Sequence, residues 1–192
     1  MSAPNSIRAF IALKPDLDAL RSIVKAQKSL RHCPAHVSWT HEDQIHLTLA
    51  FLGEISSATA DALKPKLDEI AAKYSVHRCR LWGLGTFGPE RAPRIVWVGL
   101  DCPDPLFRMQ KETADACREL GIGLEARDFH PHITIGRIRS ARHADSLTSA
   151  VRSDRNTPCD PCRFDAVLLM ASRPGPQGSR YTILNRSELE GE

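Results

Sequence analysis

Apolar and polar residues alternate in two short stretches that share one pattern, histidine-aliphatic-threonine-aliphatic. The stretches are His46–Leu49 and His132–Ile135. Successive side chains of an extended strand point to opposite faces, so each stretch predicts a strand with His and Thr on one face and aliphatic side chains on the other. We expect the apolar face of the first strand to continue through Phe51, and the polar face of the second to begin at His130. Each strand would then present an imidazole and a hydroxyl side by side.

The spacing of apolar residues and the positions of Pro and Gly predict the remaining elements. Predicted helices cover 16–31, 56–73, 104–120 and 143–152, and Pro65 is expected to kink the second helix or split it in two. Further strands are predicted at 7–13, 37–39, 76–87, 94–100, 164–171 and 180–184. Strands and helices mix without strict βαβ alternation, which favours an α+β fold with mainly antiparallel sheets and outer helices.

The order of elements repeats in the two halves of the chain. Arg8 precedes His46 by 38 positions, and Arg94 precedes His132 by the same 38. Each interval contains a strand, an amphipathic helix, a connector and a His-Thr strand. We therefore predict a bilobal domain whose two pseudo-symmetric lobes face each other across a central cleft. The predicted boundaries are 1–192 for the domain, and roughly 7–53 and 93–138 for the repeat.

Composition narrows the class of protein. The chain has 192 residues, 42% of them hydrophobic, which suffices for one substantial core but not for two large domains. A formal net charge of +3 permits a nucleic-acid or phosphate ligand without requiring one. Neither a signal core nor a run of ~20 apolar residues is found, so we expect a cytoplasmic protein without membrane contact. Nothing suggests an obligate protein partner, and a monomer is expected.

Two small clusters raise the alternative of a metal or redox site. Six cysteines are scattered along the chain, and without an export signal they are expected to be reduced thiols. Only Cys159 and Cys162 form a C-x-x-C pair, and the prolines beside them favour a turn leading into a strand. His130 and His132 could hold a metal from one strand face, but no suitably placed Asp or Glu completes that site. Both roles remain minor alternatives.

Two histidines on matching strands could serve as a base and an acid across one cleft. Imidazole has a pKa of about 6.5, so near neutral pH one ring can be neutral and the other protonated. In-line displacement at phosphorus needs a base at the nucleophile and an acid at the leaving oxygen on the opposite side. Thr48 and Thr134 could donate hydrogen bonds to the non-bridging oxygens, and Arg137 could add a positive charge. No metal is required.

A single strand histidine is more often a surface or structural residue than a catalyst, so either copy alone would be weak support for this chemistry. Two copies in matching halves strengthen it considerably. The other histidines fit neither copy and are expected at the surface: His32, His36, His41, His77 and His143.

The segments His46–Glu54 and Pro131–Arg137 resemble the paired signatures of the two-histidine phosphoesterase superfamily. Within it, the chain is most similar to the RNA 2',3'-cyclic phosphodiesterase family, historically called 2'-5' RNA ligase. Arg8–Leu13 and Arg94–Trp97 share in this likeness. The resemblance implies a bilobal fold, no metal cofactor, and hydrolysis of 2',3'-cyclic phosphate ends of RNA or nucleotides to 2'-phosphates.

The resemblance also implies a role for each site residue. His46 would donate a proton to the departing 3'-oxygen, and His132 would accept a proton from water. Thr48 and Thr134 would hold the phosphate, whereas Arg137 and Phe10 would lie near the nucleotide and could sandwich a base. His130 is a departure, because relatives frequently carry Arg there. Three alternatives stay open: 2'-5' ligation, action on another cyclic nucleotide phosphate, and a non-catalytic nucleotide-binding module.

Overall fold

The computed structural model describes residues 6–89, 91–126, 128–153, 160–175 and 178–191. Within these residues the elements are β1 (Ser6–Leu13), α1 (Leu17–Leu30), β2 (Val37–Trp39), β3 (Leu47–Ser56), α2 (Ser57–Ala71), β4 (His77–Phe87), β5 (Ile95–Asp101), α3 (Asp104–Glu119), β6 (His132–Ile138), α4 (Ala144–Ser153), β7 (Pro161–Phe164), β8 (Ala166–Gly175) and β9 (Gly178–Glu188). A single 3-10 turn at Glu42–Gln44 precedes β3. None of these helices combines the length and apolar composition needed to cross a bilayer.

The strands form one sheet, and every pair of named strands is antiparallel. Their order is β7-β4-β5-β6-β3-β1-β8-β9, with β2 paired to β6. Among the described residues, β3 and β6 pair at one position, Leu47 with Ile133. This position divides the sheet into two halves, β7-β4-β5-β6 and β3-β1-β8-β9. The predicted α+β fold with antiparallel strands is confirmed, and the division into a repeated pair of segments stays a prediction.

Strand alternation separates two apolar clusters on opposite faces of the sheet. The larger cluster contains Ile11 and Ile133 of the sheet together with Leu63 and Met109 of the helices. The smaller cluster contains side chains from β1 and β8, with Tyr181 of β9 packed against it: Phe10, Ala12, Ala166, Leu168 and Met170. We call the sheet face that carries this smaller cluster the open face. His46, His132 and both threonines of the predicted pattern lie on this side.

A register shift moves Phe51 onto the open face. The alternation predicted Phe51 on the apolar core face, but 69% of this residue is exposed. The pairing of β1 with β3 skips Leu49, which lies between the paired residues Thr48 and Ala50. One extra residue in a strand reverses the alternation beyond it. The predicted core position of Phe51 is therefore wrong.

A second register shift explains why Arg137 lies on the polar face of β6. The pairing of β5 with β6 skips Ile135, between Thr134 and Gly136. Strict alternation would put Arg137 on the buried face with Ile135. After the extra residue Arg137 is exposed, whereas Ile135 is fully buried. The bulge thus directs a guanidinium group to the polar side of β6.

Three other predictions differ from the structure in whole or in part. Pro65 lies inside α2, which is not split in two, and the alternative of a kink stays a prediction. His77 is buried, with 2% exposure, because β4 directs it into the helix-covered face beside Met109. Cys162 lies inside strand β7 rather than in a turn. The other member of its pair, Cys159, lies outside the described residues.

Cys79 of β4 and Cys102, just after β5, form a disulfide with their Cα atoms 4.4 Å apart. The prediction of reduced thiols is therefore wrong for this pair. Cys33, Cys117 and Cys162 are free within the described part of the chain. Cys162 is directly opposite Cys79 in the pairing of β4 with β7.

Candidate active site

The position that joins β3 to β6 lies between the two histidines of the sequence pattern. Leu47 pairs with Ile133, and a histidine immediately precedes each of them. In an antiparallel pair, continuing the register by one residue sets each histidine opposite the threonine of the other strand. The expected neighbours are His46 with Thr134, and His132 with Thr48. The recorded pair of Leu47 with Ile133 thus places the two His-Thr segments side by side.

The same backbone interaction orients both imidazoles. His46 Nδ1 lies 2.6 Å from the carbonyl oxygen of Gln44, and His132 Nδ1 lies 2.7 Å from that of His130. A carbonyl oxygen can only accept a hydrogen bond, so Nδ1 must carry the proton in each contact. Each Nε2 is then left to exchange a proton with a ligand. His130 thus contributes through its backbone, while its side chain is exposed.

Two aromatic rings enclose His46. The ring of Phe10 on β1 has its centroid 4.9 Å from that of His46, at an interplanar angle of 30°. The ring of Tyr181 on β9 lies 5.5 Å away and nearly perpendicular, at 82°. Phe10 and Tyr181 also contact each other at 4.9 Å. His46 is therefore packed against the apolar cluster of the open face.

A different pair of rings lies beside His132. Phe87, at the end of β4, packs edge-on at 4.8 Å, and Trp97 of β5 lies at 6.4 Å. The Trp97 ring occupies the space above Gly85, where an added Cβ would come within 2.1 Å of it. Phe87 is 37% exposed, so the surroundings of His132 are more open than the closed apolar packing around His46.

The unequal packing has an electrostatic consequence. Burial lowers the pKa of His46 from 6.5 to about 4, because desolvation disfavours the charged ring. The Gln44 carbonyl opposes this change, whereas the positive charges of Lys14, Arg137 and His132 add to it. Without a ligand, His46 is therefore neutral at pH 7. An anion bound between the histidines would favour its protonated form.

The other predicted site residues occupy distinct positions around this centre. Thr48 and Thr134 are half-buried on the open face. Arg137 is exposed; burial lowers the pKa of His46 and the charge of Arg137 adds to this, whereas burial raises the pKa of Tyr181 and the same charge opposes that rise. Phe10 is 4% exposed and lies against His46 rather than projecting into solvent. The structure thus brings all six predicted residues to one side of the sheet.

Sequence reasoning missed the aromatic neighbours Tyr181, Phe87 and Trp97, as well as Lys14. Each lies in or next to a predicted strand, but the pattern gives no indication of which strands are neighbours. The placement of β9 next to β8, and of β8 next to β1, brings Tyr181 to His46. No local signal singles out Tyr181, because the same strand also carries the apolar residues Ile183 and Leu184.

Metal ligation was the alternative for the histidine pair on β6. Within the residues that the structure describes, no three His, Cys, Asp or Glu side chains converge in a way that could hold a metal ion.

Comparison with known proteins identifies relatives over most of the chain. The family model for LigT-like phosphoesterases matches residues 13–97 and 99–181. A Geobacillus stearothermophilus protein named RNA 2',3'-cyclic phosphodiesterase is 36% identical over 128 residues, which are 67% of this chain and 41% of that relative. The chain thus spans less than half the length of this relative.

Two further relatives match along nearly their whole length. A Methanothermobacter thermautotrophicus protein with the same name is 26% identical over 176 residues, covering 92% of this chain and 95% of the relative. The crystal structure of E. coli LigT complexed with 3'-AMP superimposes with a TM-score of 0.73 and 26% identity, covering 96% of this chain and 98% of that chain. The similarity therefore includes both halves of the sheet.

Proposed function

The chain belongs to the LigT-like phosphoesterase family, and on that premise we propose that it is an RNA 2',3'-cyclic phosphodiesterase. It opens the cyclic phosphate at an RNA end and leaves a 2'-phosphate. The observation that carries this assignment is the pair of imidazoles at the β3–β6 junction, each with Nδ1 held by a carbonyl. The names of the relatives support the substrate class.

The proposed reaction uses the two imidazoles on opposite sides of the phosphorus. Water binds on the side of His132, whose Nε2 accepts a proton as the water oxygen attacks phosphorus. The bond between phosphorus and O3' breaks on the opposite side, and protonated His46 donates its Nε2 proton to O3'. The products are a 2'-phosphate and a 3'-hydroxyl. One proton enters and one leaves the protein, so each cycle exchanges the protonation states of the two histidines.

The substrate itself helps to charge the acid. His46 is neutral in the empty site because its pKa is about 4. A cyclic phosphodiester carries one negative charge, and its binding next to His46 raises the pKa of the ring. The low dielectric around His46 strengthens this attraction. Protonated His46 is thus formed in the complex with substrate, where the leaving oxygen is present to receive the proton.

The remaining residues stabilise charge on the phosphate. The hydroxyls of Thr48 and Thr134 donate hydrogen bonds to the non-bridging oxygens, and Arg137 adds a positive charge at the edge of the cleft. Phe10 and Arg137 contact the nucleotide base in the same proposal. Catalysis uses no metal, and the protein acts as a cytoplasmic monomer on RNA ends or nucleotides that carry a 2',3'-cyclic phosphate.

The direct test is incubation with an oligonucleotide that ends in a 2',3'-cyclic phosphate, with and without a chelator. Hydrolysis to a 2'-phosphate at equal rates in both samples is expected. A 3'-phosphate product would reverse the assigned leaving oxygen, and activity that disappears with chelator would contradict the metal-free mechanism. A longer product joined by a 2'-5' bond would identify ligation, and tight binding without turnover would identify a nucleotide-binding module.

A further inference from the structure

The hairpin of β8 and β9 contacts the surroundings of His46 in two places. Tyr181, near the start of β9, packs nearly perpendicular to the His46 ring with centroids 5.5 Å apart. Two residues earlier, the carbonyl oxygen of Ser179 accepts a hydrogen bond from the side-chain amide of Gln44. Both contacts come from the edge strand β9, which is separated from β3 by two strands in the order β3-β1-β8-β9.

Gln44 links these contacts to the imidazole. Its backbone carbonyl accepts the His46 Nδ1 hydrogen bond at 2.6 Å, while its side chain donates to Ser179. Gln44, the last residue of the 3-10 turn, therefore contacts the hairpin through its side chain and His46 through its backbone. Displacement of the hairpin would move both the ring neighbour of His46 and the acceptor for its Nδ1.

The surroundings of His132 are built differently. Its ring neighbours, Phe87 and Trp97, belong to β4 and β5, which are paired directly with each other and with β6. The acceptor for its Nδ1 is the carbonyl of His130, in the segment just before β6. The two histidines thus have the same kind of backbone contact. Of the two, only His46 has a ring neighbour from the β8–β9 hairpin among the described residues.

We propose that the β8–β9 hairpin is a positioning element for His46, with Tyr181 and Gln44 as its positioning residues. Tyr181 excludes water from the imidazole, and Gln44 fixes the direction in which Nε2 points. Because this role concerns the proton donor, the inference rests on the proposed phosphodiesterase function. It extends that function by assigning the C-terminal hairpin to the acid side of the reaction.

The charges around His46 agree with this role. Lys14 after β1, and Arg137 and His132 of β6, all disfavour its protonated form, but burial is the largest cause of its lowered pKa. Burial also raises the pKa of Tyr181, so its phenol is neutral at pH 7 and contributes no charge. The ring of Tyr181 therefore acts on His46 by excluding water. Loss of that ring admits water and brings the pKa of His46 closer to 6.5.

Three substitutions separate these contributions. Tyr181→Ser removes the ring, Tyr181→Phe keeps it, and Gln44→Leu removes the bond to Ser179 but keeps the backbone carbonyl. Tyr74→Phe is the matched control for a lost hydroxyl, since Tyr74 donates to Glu112 away from the site. Gln110→Leu is the control for a lost glutamine bond, because Gln110 donates to the Leu49 carbonyl instead.

The measurements are the NMR titration and tautomer state of His46, followed by kcat and KM with a 2',3'-cyclic phosphate nucleotide. His46 signals are identified by their loss in His46→Gln. In Tyr181→Ser we expect the His46 pKa to rise by about one unit and kcat to fall about tenfold, with KM within about twofold. In Tyr181→Phe, His46 should titrate as it does in the wild type. In Gln44→Leu the tautomer protonated at Nδ1 should lose population. Both controls should match the wild type.

An unchanged His46 titration in Tyr181→Ser, together with an unchanged tautomer in Gln44→Leu, would overturn the positioning role. Changes of the same size in Tyr74→Phe and Gln110→Leu would also overturn it, since a general loosening of the fold would then explain them. The titration needs no substrate. If the wild type failed to hydrolyse any cyclic phosphate while the titration still shifted as expected, the proposed function would fail and the contact of the hairpin with His46 would stand.

Discussion

Phe10 lies against the ring of His46, with their centroids 4.9 Å apart and an interplanar angle of 30°. This contact gives Phe10 a place in the environment of the proposed acid, separate from any contact with a base. Only 4% of Phe10 is exposed without ligand. Its substitution therefore tests two roles that affect different kinetic constants.

We expect Phe10→Leu to raise the pKa of His46 and to lower kcat about tenfold, because a smaller side chain lets water reach the imidazole. The measurements are an NMR titration of His46 and steady-state kinetics. A rise in KM alone, with an unchanged titration, would instead assign Phe10 to base stacking. Phe107→Leu is the control, since Phe107 is a partly exposed phenylalanine that packs against Phe129.

Removal of either imidazole should nearly abolish hydrolysis. His46→Ala and His132→Ala are each expected to lower kcat by about 10³-fold or more, because proton transfer at one end of the reaction is lost. Circular dichroism and steady-state rates are measured on the same preparations. The exposed His143 provides the control variant His143→Ala. Hydrolysis within tenfold of wild type in either site variant would exclude the two-histidine mechanism.

Substitution of the threonines tests phosphate stabilisation without a change in side-chain shape. Thr48→Val and Thr134→Val each remove one hydroxyl donor, and we expect kcat to fall about 10- to 100-fold in each. The double variant should lose less than the product of the single effects if both hydroxyls serve one phosphate. Thr182→Val on exposed β9 is the control. Full activity in both single variants would show that the hydroxyls do not contact the transition state.

Gly85→Ala should disturb the side of the site that holds His132. A Cβ at this position would come within 2.1 Å of the Trp97 ring, so this neighbour of the His132 imidazole must move. We expect a loss of about 1–3 kcal/mol in the free energy of unfolding, together with reduced activity. Urea unfolding measures the first effect. Gly123→Ala is the control, because an added Cβ there has no atom within 4 Å, and an equal loss in both variants would refute the steric argument.

The free energy of unfolding should decrease as the pH falls below about 6.5. Burial lowers the pKa of both His46 and His77 in the folded protein, that of His46 to about 4. The unfolded chain therefore binds more protons over this range, so stability is complete above the unfolded pKa and is lost as the pH falls towards the folded pKa. Urea unfolding at pH 7 and at pH 4.5 measures the difference. His77→Gln should show a smaller difference between the two pH values, and a difference as large as in the wild type would show that His77 has no part in it.

The sequence pattern predicted those features that depend on local periodicity. The two His-Thr strands, most strand positions and the four helices follow from alternation and helical spacing. The faces of residues beyond a bulge do not follow from alternation. Because the strand pairing skips Leu49 and Ile135, Phe51 and Arg137 each lie on the face opposite to the one that strict alternation gives. The packing of a neighbouring strand decides where such an extra residue is accommodated.

The order of the strands in the sheet also could not be predicted from the local pattern. Tyr181 reaches His46 because β9 lies at the edge beyond β8 and β1. Cys79 bonds with Cys102 because β4 and β5 are neighbours, whereas general expectation for the compartment favoured free thiols. These contacts join residues far apart in sequence, and only the assembled sheet defines them.

The junction of Leu47 with Ile133 also bears on how the protein folds. The two partners are 86 positions apart (133 minus 47) in a chain of 192 residues, so their pairing closes a long loop and is entropically costly. Either half of the sheet can bury apolar side chains without it, yet neither half alone contains both histidines. Hydrolysis during refolding would therefore report the final docking of the two halves, later than the formation of secondary structure.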